Sequence, residues 1–280
     1  MANPAGQAAD ARGARAPAGR APRAGLVSLS TSGTPSSICT GAVDSAGVWL
    51  RCDPHRSRLR RMRRSVMSSA RLLEVDALLG GFRLRRLMIT LTYRPDASPA
   101  VGDIAAFRDR MRQWFKRRGV PCRFVWVREA HKSGRPHFHV LVWLPRRFML
   151  PAPDRRGWWP HGLTQVKPVH SGASYVAKYV SKGSDPAAFP KGCRIHGAGG
   201  LSVSSRRERR WWLLPLWARR VLGGFADPLR VRGGWCDRNT GLFAPSPWSV
   251  VVGAGGIRWV VRPFELGESC NASSSQICFA

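Results

Sequence analysis

Two apolar β-type runs separated by six polar residues, "RFVWVREA" (123–130) and "HFHVLVWL" (137–144), constrain this chain more than any other feature. Both are rich in β-branched and aromatic residues, and the intervening "HKSGRP" has the length and composition of a hairpin loop. They predict antiparallel neighbours in one sheet. In a strand, side chains at i and i+2 leave the same face. Phe138, Val140, Val142 and Leu144 therefore share a core-facing side, and His137 and His139 share the other.

Similar signals surround this hairpin. "LMITLTY" (87–93) alternates and reads as a strand ended by Arg94-Pro95. From about Ile104 to Arg118, the spacing of Ile104, Phe107, Met111, Trp114 and Phe115 makes one helical stripe, with Asp103 as N-cap and Gly119 as stop. "LTQVKPV" (163–169) reads as a further strand, and "SGASYVAKYVSKG" (171–183) as a helix stopped by Gly183. The order β-α-β-β-β-α predicts an α+β domain: a central antiparallel sheet of about five strands with helices on one face.

Residues 1–82 are poor in large apolar side chains and rich in Ala, Gly, Pro, Ser and Arg, so a mostly disordered basic extension is expected, with order beginning near Leu84. Within it, "RSRLRRMRR" (56–64) is either a phosphate-contacting segment, a solvated tail, or sequence around a translation start at Met62 or Met67. The expected division is this extension, an α+β domain over 83–185, and an Arg/Trp/Gly-rich region over 186–280 for DNA binding or packing.

Charge narrows the partner. The chain carries 46 Lys+Arg against 16 Asp+Glu, a formal net charge of +30. Such an excess costs self-repulsion unless a polyanion offsets it, and arginine forks onto phosphate while stacking on bases. Nucleic acid is the expected partner; the alternative source of the excess is the composition of a GC-rich genome. The longest apolar stretch, "WSVVVGAGGIRWVV", is broken by glycines and Arg258 and is too short for a membrane span. No apolar signal-peptide core opens the sequence. Seven scattered cysteines without a CxxC pair argue against a disulfide framework or structural zinc and fit a reducing cytoplasm.

Two constellations carry chemistry. His137 and His139, at strand spacing, can share a metal ion, or can be ordinary polar residues of a half-buried sheet. Tyr175 and Tyr179, two of only three tyrosines, stand four apart on the late helix and so share one of its faces. Chance yields about 0.2 such histidine pairs and about 0.03 such tyrosine pairs in a chain of this composition, so the tyrosines are the more specific signal. Lys178 and Lys182 follow them in a doubled Tyr-x-x-Lys unit and would favour the phenolate. A phenol aimed at phosphorus beside a metal can form a covalent phosphotyrosine. Glu129, ending the strand before the hairpin, can fold back as a third ligand; His131 in the loop competes for that role. Two imidazoles and a carboxylate suit Mn²⁺ or Mg²⁺, with zinc not excluded by ligand type. The structural alternatives are a salt bridge for Glu129 and a core-packing helix for the tyrosines.

"MITLTY", "PHFH" and "YVAKYVSK" together resemble the three motifs of the HUH endonucleases, and the tyrosine pair resembles their two-tyrosine class. The wider text from about residue 85 to 250 looks like the rolling-circle replication initiators of filamentous phages, the gene II-type group. The resemblance implies an HUH, RRM-like nuclease domain with a divalent metal on His137, His139 and Glu129. It implies a nickase in which one of Tyr175 and Tyr179 cuts single-stranded DNA at a replication origin and the other resolves the displaced strand. The expected setting is a bacterial cytoplasm with no membrane or small-molecule partner. Without a Walker-type loop, a host helicase and polymerase would be borrowed. The rival readings are a two-tyrosine transposase of the same chemistry and a non-catalytic basic DNA-binding protein. Lesser candidates are Thr90 and Thr92 under the site; Trp158, Trp159 and His161 as base-stacking or core residues; and Lys191, Arg194 and "RRERRWW" (206–212) as a nucleic-acid groove or peripheral helix.

Overall fold

The computed structural model describes residues 41–44, 47–51, 53–81, 83–130, 135–171, 176–177, 193–252 and 258–262. Strands β1 (Gly41–Asp44) and β2 (Gly47–Arg51) precede helix α1 (Pro54–Leu79), strand β3 (Leu84–Thr92) and helix α2 (Asp103–Lys116). Strands β4 (Arg123–Ala130), β5 (Pro136–Pro145), β6 (Thr164–Val169) and β7 (His196–Gly199) follow. The chain continues through helices α3 (Val203–Trp212) and α4 (Leu216–Leu222) and strands β8 (Pro228–Val231), β9 (Gly234–Asp237) and β10 (Phe243–Pro245). Strands β11 (Ser249–Val252) and β12 (Arg258–Arg262) close the described chain.

The described residues fall into two compact units. In one, β1, β2, β12 and β11 form a four-stranded antiparallel sheet in that order. The apolar stretch "WSVVVGAGGIRWVV" thus supplies two short strands, and no helix among the described residues is long and apolar enough to cross a membrane.

The other unit is an α+β domain built on a five-stranded antiparallel sheet of order β6-β3-β5-β4-β7. The fold class and the strands around the hairpin are those expected. Leu87, Ile89, Leu91, Phe138, Val140, Val142 and Leu144 pack against Ile104, Phe107, Met111, Trp114 and Phe115 of α2 in one continuous cluster. Gly102 rather than Asp103 holds the N-cap of α2; the Asp103 carboxylate instead accepts from the Ala100 amide and the Tyr93 hydroxyl, each at 2.8 Å. Gly119 adopts φ 62° where the chain turns back after the helix, the left-handed conformation that an absent Cβ permits.

Three expectations need correction. Helices cover both faces of the sheet, because α1 packs on the face opposite α2: Met62, Val66, Ala70, Leu73 and Ala77 meet Met88, Val125, Val127, Leu141 and Trp143. Order therefore begins well before Leu84, within the segment assigned to a disordered extension. The apolar series of α1 recurs at helical spacing but is built largely of small residues among arginines, so mean composition concealed it. Asp53 caps the helix through the amides of His55 and Arg56, and "RSRLRRMRR" forms its first half rather than a solvated tail. At the other end Glu74 accepts from Trp143 Nε1 at 2.7 Å and Arg86 Nε at 2.8 Å, pinning the helix to β5 and β3.

Nor does the sheet end at residue 185. Its fifth strand, β7, comes from the region assigned to a C-terminal extension and pairs with β4. A Cβ on Gly197 would stand 2.5 Å from Trp126 Nε1, and one on Gly199 2.5 Å from the Phe124 ring, so only glycine lets this strand cross those rings. Helix α3 is tied to α1 by Asp76, whose carboxylate accepts from the Ser202 amide (2.8 Å), Ser202 Oγ (2.9 Å) and Ser205 Oγ (2.7 Å). A small cluster of Leu214, Ala218, Leu222, Ala226 and Ala244 closes α4 against the sheet β10-β9-β8.

Candidate active site

Register places the sequence candidates on one face. His137 lies opposite Thr92 on β3 and Glu129 on β4, and His139 opposite Thr90 and Val127. Directly opposed residues of an antiparallel pair leave the same side of the sheet, so Thr90, Thr92, Glu129, His137 and His139 crowd one end of the α1 face. The same strands carry Met88, Val125, Leu141 and Trp143 farther along that face, where α1 covers them. A β-strand cannot choose its face residue by residue. The face is divided lengthwise instead, apolar beneath the helix and polar at the end.

His139 is buried, with 6% of its side chain exposed against 16% for Glu129, and its Nε2 lies 2.6 Å from Glu129 Oε2. Its Nδ1 lies 3.3 Å from Thr90 Oγ1. Held at both nitrogens, the ring has a fixed orientation, and Thr90 belongs to the site rather than merely beneath it. His137 is half-buried, its ring centroid 6.5 Å from that of His139 at an interplanar angle of 61°.

The ligand chemistry suits a divalent ion, but assembly is partial. Among the described residues, no group of three or more His, Cys, Asp or Glu is gathered as a metal centre requires. Metal bonds of about 2.1 Å at right angles separate neighbouring ligand atoms by about 3 Å, so the His139–Glu129 contact would need to open by only about half an ångström. His137 would have to swing toward that pair.

Tyr175, Tyr179, Lys178 and Lys182 lie outside the described residues, as do His131 and Lys191. Val176, between the tyrosines in sequence, is helical and 2% exposed in the cluster on the α1 face that includes Val127 and Leu141. Tyr93, the third tyrosine, belongs to the opposite, α2 face. Burial, then its hydrogen bond to Asp103 and that carboxylate's charge, hold its phenol well above the ordinary tyrosine value, so it remains protonated.

Other candidates resolve into structure. Trp158 and Trp159 are 8% and 1% exposed in the α2-side core, with Trp159 Nε1 donating to the Thr92 carbonyl at 3.1 Å, so they do not offer rings to bases. His161 pairs with Asp103 at 3.4 Å. In "RRERRWW", Arg210 pairs with Asp227 at 2.6 Å, Arg207 donates to the Phe225 carbonyl, and the indoles of Trp211 and Trp212 donate to the Gly223 carbonyl and Glu208. Most of that segment's polar groups thus serve packing. One residue escaped the sequence reading: His196, opposite Val127 on β7, continues the row Thr90, His139, Val127 across the same face. Alternating glycines in "HGAG" were the available signal for that strand.

Taken together, fold and site define an α+β protein with a His-x-His strand and an adjoining glutamate at one end of a helix-covered sheet. Residues 86–184 match the family of replication-associated proteins of the ORF2 and gene II type. The matched stretch runs from β3 through the segment around Val176 and is well under half of the chain; α1, α3, α4 and β7 to β12 lie outside it. Over that stretch the chain is similar to replication-associated proteins, which is consistent with a rolling-circle replication initiator. No curated protein and no solved structure matches the chain.

Proposed function

We propose that this chain is a metal-dependent, site-specific DNA nicking and joining enzyme of the HUH two-tyrosine type that initiates rolling-circle replication in a bacterial cytoplasm. The observation that carries the reading is the 2.6 Å contact of His139 with Glu129, flanked by His137, within a stretch similar to replication-associated proteins. His137, His139 and Glu129 would hold Mg²⁺ or Mn²⁺. The ion, when bound, would polarise the scissile phosphate and offset its developing charge.

The chain's own groups do the rest. The phenol oxygen of Tyr175 or Tyr179 attacks phosphorus, forming a Tyr–O–P bond on the 5′ side. The P–O bond to the 3′ oxygen breaks, and that oxygen leaves as a hydroxyl able to prime synthesis, taking up a proton as the phenol gives one up. Lys178 and Lys182 favour the phenolate. Attack by the freed or a second 3′ hydroxyl reverses the step, so joining needs no ATP. Thr90 holds the His139 ring by its far nitrogen and so positions a ligand. The partners on this reading are single-stranded origin DNA and a host helicase and polymerase.

The test is incubation with origin-bearing single-stranded DNA and Mn²⁺, followed by denaturing electrophoresis. We expect a protein–DNA adduct that disappears on chelation, in His137→Ala, and in Tyr175→Phe/Tyr179→Phe. An adduct persisting in the double variant would assign the nucleophile elsewhere. Salt-dependent binding without any adduct would favour a non-catalytic DNA-binding protein.

A further inference from the structure

Four arginines from three separate elements lie close enough to His196 for their charges to act on it. Arg58 and Arg61 come from α1, Arg194 from the residues leading into β7, and Arg209 from α3. Arg58 is anchored on the Cys193 carbonyl, beside Arg194, and Arg209 donates to Ser65 Oγ at 2.6 Å. Among the described residues, His196 Nδ1 and Arg209 Nε are buried and find no hydrogen-bond partner, and no carboxylate is paired with Arg61, Arg194 or Arg209. Burial first, then Arg209, Arg58, Arg194 and Arg61, push the imidazole down to about 4, so the positive charge at neutral pH resides in the guanidiniums. Like charges gathered from three elements repel one another, and the arrangement makes sense where an anion neutralises them.

The position of this cluster identifies the anion. His196 lies on the same sheet face as His139, two strands away, a separation of about 10 Å at the backbone. A strand of DNA held at the His139–Glu129 end would bring its neighbouring phosphates past β7. Guanidiniums fork onto phosphate oxygens, and Arg61 and Arg194 are exposed to receive them.

We propose that Arg58, Arg61, Arg194 and Arg209 around His196 form a second phosphate subsite, which grips a backbone phosphate of single-stranded DNA beside the scissile one. The inference rests on the reading of DNA as substrate but not on the nicking chemistry. Its residues lie outside the stretch similar to replication-associated proteins, so the subsite is built by this chain's flanking elements.

The test uses the full chain carrying Tyr175→Phe/Tyr179→Phe, so that no covalent step intervenes. A labelled single-stranded oligonucleotide, with an uncharged methylphosphonate placed at each linkage in turn, is titrated by fluorescence anisotropy. We expect one linkage at which neutralisation weakens binding about tenfold. Adding Arg61→Ala/Arg194→Ala should weaken binding to the unmodified strand about tenfold, remove the penalty at that linkage, and lower the slope of log Kd against log salt by about 1 to 2. Unchanged affinity and slope would overturn the subsite, as would a penalty spread evenly over all linkages. Adduct formation by the tyrosine-intact chain is scored separately. Its absence with the linkage effect present sinks nicking and leaves the subsite; the reverse sinks the subsite alone.

Discussion

The two faces of the five-stranded sheet are built from alternate residues of the same strands, yet they differ in kind. Under α2, β5 is apolar along its length, with Phe138, Val140, Val142 and Leu144 each at most 2% exposed. Under α1 the intervening residues run from Trp143 and Leu141, sealed by the helix, to His139 and His137 at the end. One face supplies the cohesion that lets the other give up burial for a cluster of polar groups. A site on regular strands inherits their rigidity, which ligand geometry demands.

Substitutions on each face in turn should have opposite effects on stability and activity. Phe138→Ala, which removes a ring packed near Tyr93, Trp126 and Trp159, should cost about 3–5 kcal/mol in denaturant unfolding. One residue earlier, half-buried His137→Ala should cost less than about 1 kcal/mol while abolishing adduct formation. Equal stability losses at the two positions would show that the faces do not divide labour as described.

Acid probes the α1 face through two of its groups. His196 binds its proton less readily when folded, at about 4, than an ordinary histidine at 6.5. The unfolded chain therefore takes up a proton first as pH falls, and stability should drop between about pH 6.5 and 4, by about 3 kcal/mol at most. Replacing His196 with Asn should flatten that part of the pH–stability curve, measured by urea unfolding across the range. A smaller loss is expected at the anchored end of α1. Arg86's hydrogen bonds lead, against the opposing effect of burial, with Trp143's bond and Arg86's charge adding to them, in holding the Glu74 carboxyl below its usual range. Its contribution is thus present above about pH 4.5 and lost below it. Glu74→Gln should cost about 1–2 kcal/mol at neutral pH and little in acid. The smallest change is Thr90→Val, which preserves shape and removes the hydroxyl at His139 Nδ1. Stability should move by less than about 1 kcal/mol, while adduct formation slows about tenfold or more.

Much of this arrangement was legible beforehand because it is local. Period-two alternation defined β3, β4 and β5, and a helical stripe defined α2, so the pairing of His137 and His139 on one side needed no coordinates. Helix α1 was not legible, since its buried series of Ala, Ser, Val and Leu is diluted by arginines that composition weighs more heavily. Strand β7 is only four residues long and half glycine, and its identity depends on the rings of Trp126 and Phe124 beneath it.

Local periodicity sufficed for the antiparallel hairpin and for the strand spacing that sets two imidazoles side by side. Those are consequences of backbone periodicity, which neighbouring residues carry with them. Tertiary packing was needed to bring Glu129 to His139, to seal part of the same face under α1, and to complete the row with His196. Each of these brings together residues distant in sequence or on different strands, and register and helix docking are fixed by the packing of the whole core rather than by any local pattern.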